Sequence, residues 1–119
     1  MLRHINDMLE TFKALAEPNR LQIVELLRNG PRPVNDMVDR LGMNQPQVSK
    51  HLRVLSDAGL VDVRVDAQRR IYALRPAPLH ELDAWLERYR QIWESSFDRL
   101  DTLLDEMQKR EKKHERKKR

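Results

Sequence analysis

Apolar residues recur through the first half of this chain at intervals of three and four, the repeat that gathers side chains on one face of a helix. Ile5, Met8, Leu9, Phe12 and Ala16 define such a face, widened by Leu15, and predict a first helix from Ile5 to Ala16. Pro18 disfavours a helical residue before it yet suits the first turn of a new helix. A second helix is therefore expected from Pro18 to Asn29, burying Leu21, Ile23, Val24, Leu26 and Leu27. Gly30 reads as its left-handed cap and Pro31-Arg32-Pro33 as a stop signal. Val34, Met37, Val38 and Leu41 form the inner face of a short third helix, which Gly42 ends. A fourth begins after Asn44, a good N-cap, accepts Pro46 in its first turn, and runs to Asp57 or Ala58 before Gly59 closes it.

Beyond Gly59 the period changes to two. Leu60 to Val65 alternates, Asp66-Ala67-Gln68-Arg69 can turn, and Arg70 to Leu74 alternates again, which predicts a β-hairpin whose turn lacks the usual glycine. Pro76 and Pro78 set off the last element, a helix from Leu79 to about Met107. Leu82, Leu86, Tyr89, Trp93, Ser96, Leu100, Leu103 and Met107 follow a four-three alternation there, broadened by Trp85, Ile92, Phe97 and Leu104. Its length would be near 43 Å at about 1.5 Å per residue. One small domain cannot cover so long a stripe by itself, so the pattern predicts a second copy of the chain packed against it. Ile5, Leu9 and Phe12 of the first helix, with Trp85, Leu86, Tyr89, Trp93, Phe97, Leu100 and Leu104 of the last, are the expected dimerisation residues.

Composition narrows the class. A chain of 119 residues, 39% hydrophobic and 35% charged with three glycines, suits one mostly helical domain. We expect that domain to span 1–108, followed by a basic and disordered tail, 109–119, in which eight of the residues are Lys or Arg. The formal charge of +4 favours a polyanionic partner. The absence of cysteine excludes disulfides and thiolate metal ligation. His4, His80 and His114 are too scattered for a ligand set within one chain, so neither a metal site nor a cofactor is expected, a cross-chain site being the alternative. No apolar run is long enough to span a membrane and no N-terminal leader is evident, which points to the cytoplasm. No nucleophile–base pair is tied to a foreseeable pocket, which argues against an enzyme.

The stretch from Val34 to Leu60 carries the chemistry. Val48, Leu52 and Leu55 hold one face of the fourth helix against a core, while Gln45, Gln47, Ser49, Lys50 and Arg53 occupy the other. An apolar back and a hydrogen-bonding front on the second of two short helices is the pattern of a helix-turn-helix. Gln47 and Ser49 are the expected base readers, and Lys50 and Arg53 the expected phosphate contacts. His51, beside the core-facing Leu52, is open to three uses: base contact, phosphate contact or packing. Arg64, Arg69 and Arg70 place positive charge on the hairpin, which beside a helix-turn-helix would act as a wing reaching the DNA backbone. Ordinary strand-edge charges are the alternative.

Ala14-Leu15-Ala16-Glu17-Pro18-Asn19-Arg20-Leu21-Gln22-Ile23 resembles the ArsR/SmtB family of winged helix-turn-helix repressors. So do Gln45-Pro46-Gln47-Val48-Ser49-Lys50-His51-Leu52-Arg53-Val54-Leu55, Ala58-Gly59-Leu60-Val61 and Arg69-Arg70-Ile71-Tyr72-Ala73-Leu74. The resemblance covers nearly the whole chain through Met107. It implies a mainly α fold with a small β-hairpin, ordered α-α-α-α-β-β-α and dimeric through its first and last helices. It also implies a homodimeric repressor of an inverted-repeat operator on double-stranded DNA, including its own promoter. The family's cysteine-based metal site has no ligands here, since Asn35, Met37 and Val38 occupy that helix. Its zinc-type site lacks a second histidine between His80 and His114, so the chain resembles the cysteine-free, metal-independent subgroup. An unidentified small-molecule effector between the first and last helices is one use of the aromatic residues, and close packing is the other. A nonspecific architectural DNA-binding protein is the alternative function.

Overall fold

A computed structural model describes the backbone of residues 2–118 and the side chains of residues 5–116. The elements are α1 (Leu2–Leu15), α2 (Pro18–Leu27), β1 (Arg32–Pro33), α3 (Val34–Leu41), α4 (Gln45–Asp57), β2 (Val61–Asp66), β3 (Arg69–Leu74) and α5 (Pro76–Lys118). They form two units, residues 1–82 and 83–119. Among the described residues no helix is long and apolar enough to cross a membrane.

In the first unit the helix boundaries follow from identifiable caps. Glu17 is extended and accepts from the Arg20 backbone N–H at 2.9 Å, starting α2 with Pro18 in its first turn. The Arg20 guanidinium turns back to donate to the carbonyls of Ala14 (2.8 Å) and Lys13 (3.2 Å), two of the groups that α1 leaves unpaired at its C-terminus. One short motif thus ends one helix and begins the next. Gly42, at φ +67°, closes α3 and its N–H donates to Val38. At the end of α4, Gly59 (φ +76°) donates to Ser56 at 3.0 Å and Leu60 donates to Leu55 at 2.9 Å. Both residues of this last bond, Leu55 and Leu60, are fully buried in the core.

The core gathers Ile23, Val24 and Leu27 of α2, Met37 of α3, and Val48, Leu52 and Leu55 of α4, with Leu60, Val61 and Ala14. Full burial of a Leu, Ile, Val or Met side chain contributes roughly 1.5–3 kcal/mol each before the ordering cost is set against it. The sheet is three-stranded and antiparallel, in the order β1-β3-β2, with Val61 opposite Leu74 and Asp66 opposite Arg69.

Several boundaries and burials differ from the sequence reading. Arg32 and Pro33, read as part of a stop signal, pair with Tyr72 and Ile71 as an edge strand, so the order is α-α-β-α-α-β-β-α. Two residues suffice because the pairing partner is remote in sequence, and proline is tolerated at a sheet edge. Helix α2 stops at Leu27 with Arg28 as a right-handed cap; Gly30, at φ +129°, lies beyond it. The hairpin turn is only Ala67-Gln68, and Ala67 takes φ +56° where glycine would be expected. Leu21, expected in the core, is exposed, because Ile23, Val24 and Leu27 already fill the face that α2 turns inward. Helix α1 meets the core through Ala14 and the partly buried Leu15, and its Thr11 is buried with the hydroxyl donating to the Asp7 carbonyl.

Helix α5, which starts at the end of the first unit and makes up the second, begins earlier and ends later than expected. Pro76 and Pro78 sit in its first turn, where a missing N–H costs nothing. The basic run read as a disordered tail continues the helix to Lys118; Arg119 lies outside the described residues. Glu, Gln, Lys and Arg are good helix formers, and Asp105–Lys109 and Glu106–Arg110 stand at the i, i+4 spacing that supports an exposed helix. Arg90 pairs with Asp83 and Glu87 along this helix, and the Trp85 and Tyr89 rings lie 5.0 Å apart at 58°.

Candidate nucleic-acid interface

The interface is built on α4. Its start is fixed by a reciprocal cap: the Asn44 side chain accepts from the Gln47 N–H at 2.9 Å, and the Asn44 N–H donates to Gln47 Oε1 at 3.2 Å. Its back is fixed by Val48, Leu52 and Leu55, all with no exposed surface. Locked in position and rotation, the helix leaves Gln45, Gln47, Ser49, Lys50 and Arg53 exposed.

The hairpin stands beside that outer face. Gln45, Ser49 and Arg53 of α4 meet Arg69 and Arg70 of β3 across an open concavity of about 580 Å³, floored in part by Pro33, Asn35 and Tyr72. Five of the nine residues expected at a DNA surface therefore converge. Gln47 and Lys50 are exposed outside the concavity, as is Arg64 on β2 opposite Ile71. Sequence reasoning missed Asn35, Gln68 and Tyr72 in the lining. Asn35 joins the lining because β1 brings the start of α3 to the wing, and no local pattern announces that pairing.

His51 faces the other way. Its side chain is 18% exposed, its Nδ1 is buried with no hydrogen-bond partner among the described residues, and Glu17 Oε2 lies 3.8 Å away. Of the three uses open to it, this geometry matches packing against the start of α2.

The basic residues divide sharply by place. Away from the α4 and hairpin surface, every described Lys or Arg of the first unit is engaged. Lys13 pairs with Glu10, Arg28 with Glu25, Arg32 and Arg40 with Asp36, and Arg75 with Asp62, while Arg20 holds carbonyls. The hydrogen bond from Arg32 holds the Asp36 carboxyl below its ordinary range, reinforced by the Arg40 hydrogen bond and both positive charges and opposed by partial burial. By contrast, Lys50, Arg53, Arg64, Arg69 and Arg70 form no ion pair among the described residues. Five cations without a close ion pair, on a hydrogen-bonding helix and the hairpin beside it, suit a polyanion with readable edges, though Asp57 also lines the concavity.

Comparison with known proteins agrees. Residues 17–63 match the family model described as bacterial regulatory protein, arsR family. The HTH-type transcriptional regulator Rv2034 of Mycobacterium tuberculosis is 37% identical over 94 residues, covering 79% of this chain and 85% of that protein. The chain belongs to the ArsR family. A second relative from that organism, the HTH-type transcriptional regulator NmtR, is 55% identical over 51 residues; these make up 43% of this chain and 42% of NmtR. Among solved structures, the homodimeric winged helix-turn-helix domain of Mb0332 from Mycobacterium bovis is similar with a TM-score of 0.61 and 31% identity, covering 73% of this chain and 81% of that one. As an ArsR-family protein the chain is a DNA-binding transcriptional regulator, not an enzyme.

Proposed function

We propose that this ArsR-family protein is a cytoplasmic, homodimeric repressor of an inverted-repeat operator, its own promoter included. The observation that carries the reading is the set of five unpaired cations on α4 and the hairpin, of which Arg53, Arg69 and Arg70 line one concavity, in a unit whose other described cations are all engaged. The α4 face enters a major groove, and Gln47 and Ser49 meet base edges there. Lys50 and Arg53 meet flanking phosphates, and Arg64, Arg69 and Arg70 reach the neighbouring backbone from the wing. The concavity between helix and wing is the seat for the phosphate ridge that separates the two grooves.

The exposed Ile5, Leu9 and Phe12 of α1 and the exposed Leu86, Tyr89, Trp93, Phe97, Leu100 and Leu104 of α5 support dimerisation, with Trp85 as a further aromatic contributor. A dimer presents two α4 helices to successive major grooves about 34–36 Å apart, so its operator is an imperfect palindrome whose occupation obstructs transcription. A footprint competition at fixed salt tests the division of labour. Replacing Gln47 or Ser49 should change which sequences compete, whereas Arg69→Ala should weaken cognate and random duplex by similar factors and reduce the salt slope by about one. The opposite pattern would overturn these roles, and equal affinity of the unaltered protein for operator and random DNA would favour an architectural protein.

A further inference from the structure

We propose that the last turns of α5 form a second DNA contact, a basic helix face that grips the sugar–phosphate backbone of the duplex flanking the operator. The inference rests on the DNA-binding reading given above and adds a surface outside the helix-turn-helix and the wing.

Helicity is what gathers the charge. In a disordered tail the cations would point in all directions, whereas in a helix positions three, four and seven apart share one face. Lys109, Lys112, Lys113 and Arg116 stand at that spacing within α5, and all four are exposed. The two acids of the run, Glu111 and Glu115, fall on the opposite side, where they follow the line of Leu104 and Met107. Apolar stripe and basic face thus point away from each other, and packing of the first leaves the second free.

The four cations form no ion pair among the described residues. Asp105 and Glu115 stand at helical pairing intervals from Lys109 and Lys112, yet neither closes a salt bridge, and Lys113 and Arg116 have no acid three or four positions away. Their neighbours at those intervals include one another: Lys109 meets Lys112 and Lys113, and both of these meet Arg116. Like charges so placed destabilise a helix, and an anion laid across them relieves the repulsion.

A phosphate backbone is the anion that fits. No apolar residue follows Met107, so this segment lacks the buried side that an interfacial helix sets into lipid. The face presents lysine and arginine without neutral hydrogen-bonding side chains, which suits phosphate contact without choice of base. A chain already held on its operator keeps the adjoining duplex at high local concentration, so contacts that are weak alone add to affinity there. Lys109 lies roughly 50 Å along α5 from Pro76 at about 1.5 Å per residue, a reach of about 15 base pairs at about 3.4 Å each.

The test uses the full-length protein and a duplex that it selects from a randomised library, prepared bare and with about 20 base pairs of unrelated sequence on each side. The unaltered protein should bind the flanked duplex at least about tenfold more tightly at low salt, with a salt slope steeper by about 0.9 for each cation engaged. Lys112→Gln, Lys113→Gln and Arg116→Gln combined keep good helix formers in place, and should lose most of that gain while binding the bare operator as before. Lys112→Arg with Lys113→Arg should retain it. Equal affinity of the unaltered protein for the two duplexes, or an undiminished gain in the triple glutamine variant, would overturn the flanking contact while leaving operator recognition standing. A gain reproduced when the flank is added as a separate duplex would assign the face to bridging and overturn it too. Failure of the unaltered protein to select any duplex would overturn the DNA-binding reading as well.

Discussion

The two units treat their apolar residues in opposite ways. In the first, Ile23, Val24 and Leu27 of α2, Met37 of α3, and Val48, Leu52 and Leu55 of α4 are packed to zero or near-zero exposure, and each of these helices ends in a defined cap. In the second, no described side chain from Asp83 to Arg116 is buried, although Ile92, Trp93, Phe97, Leu100, Leu103, Leu104 and Met107 recur at helical spacing. The same periodicity therefore encodes two different things. Inside the reading unit it specifies a core completed within one chain; along the terminal helix it leaves an apolar face exposed, the face proposed above to pack against a second chain.

The contrast breaks most severely at the core. Leu52→Ala should cost about 2–5 kcal/mol in a denaturant melt, since it removes buried contacts that one small unit cannot replace. A loss below about 1 kcal/mol would show that the reading unit does not depend on this packing. Trp93→Glu addresses the other side: a charge in a seam meant to be dry should raise the dimer dissociation constant at least about thirtyfold in sedimentation. An unchanged dimer would remove Trp93 from the seam.

Smaller effects sharpen the picture of the wing and of α3. Ala67→Gly should stabilise the first unit by about 1 kcal/mol in thermal melts, because glycine adopts φ +56° without the penalty an alanine carries. No gain would mean that the turn relaxes at no cost. Asp36 gives the mildest effect. Its carboxyl is held below the ordinary range when folded, so its stabilisation is complete above that range and is lost as pH falls through the folded value. The difference in stability between the unaltered protein and Asp36→Asn should stay constant near neutrality and close below about pH 4. A gap that persists in strong acid would assign the effect to something other than charge.

What could be read from the sequence was local. Gly42, Asn44, Pro46 and Gly59 mark the limits of α3 and α4 because caps act over three or four residues, and the spacing of Val48, Leu52 and Leu55 identifies the inner face of α4. Strand β1 was hidden because Arg32 and Pro33 become a strand only by pairing with residues about forty positions later, near Ile71 and Tyr72. Within the hairpin Val61 is covered, whereas Val63 and Val65 project beyond the core. For the candidate site, residue types were readable on α4 and β3, whereas the inward turn of His51 and the engagement of the Gln47 amide depend on neighbours that side-chain chemistry alone does not reveal.

Leu60 joins these levels in a single residue. Its N–H is tied to the last turn of α4, its carbonyl receives the Arg75 N–H at 2.8 Å where β3 ends, and its side chain has no exposed surface. Helix and wing consequently share one anchored junction, like the two jaws of a caliper joined at a single block. On the proposed function, a duplex whose groove spacing departs from that gap would have to bend or widen to be gripped, and local DNA stiffness would become part of what this protein distinguishes.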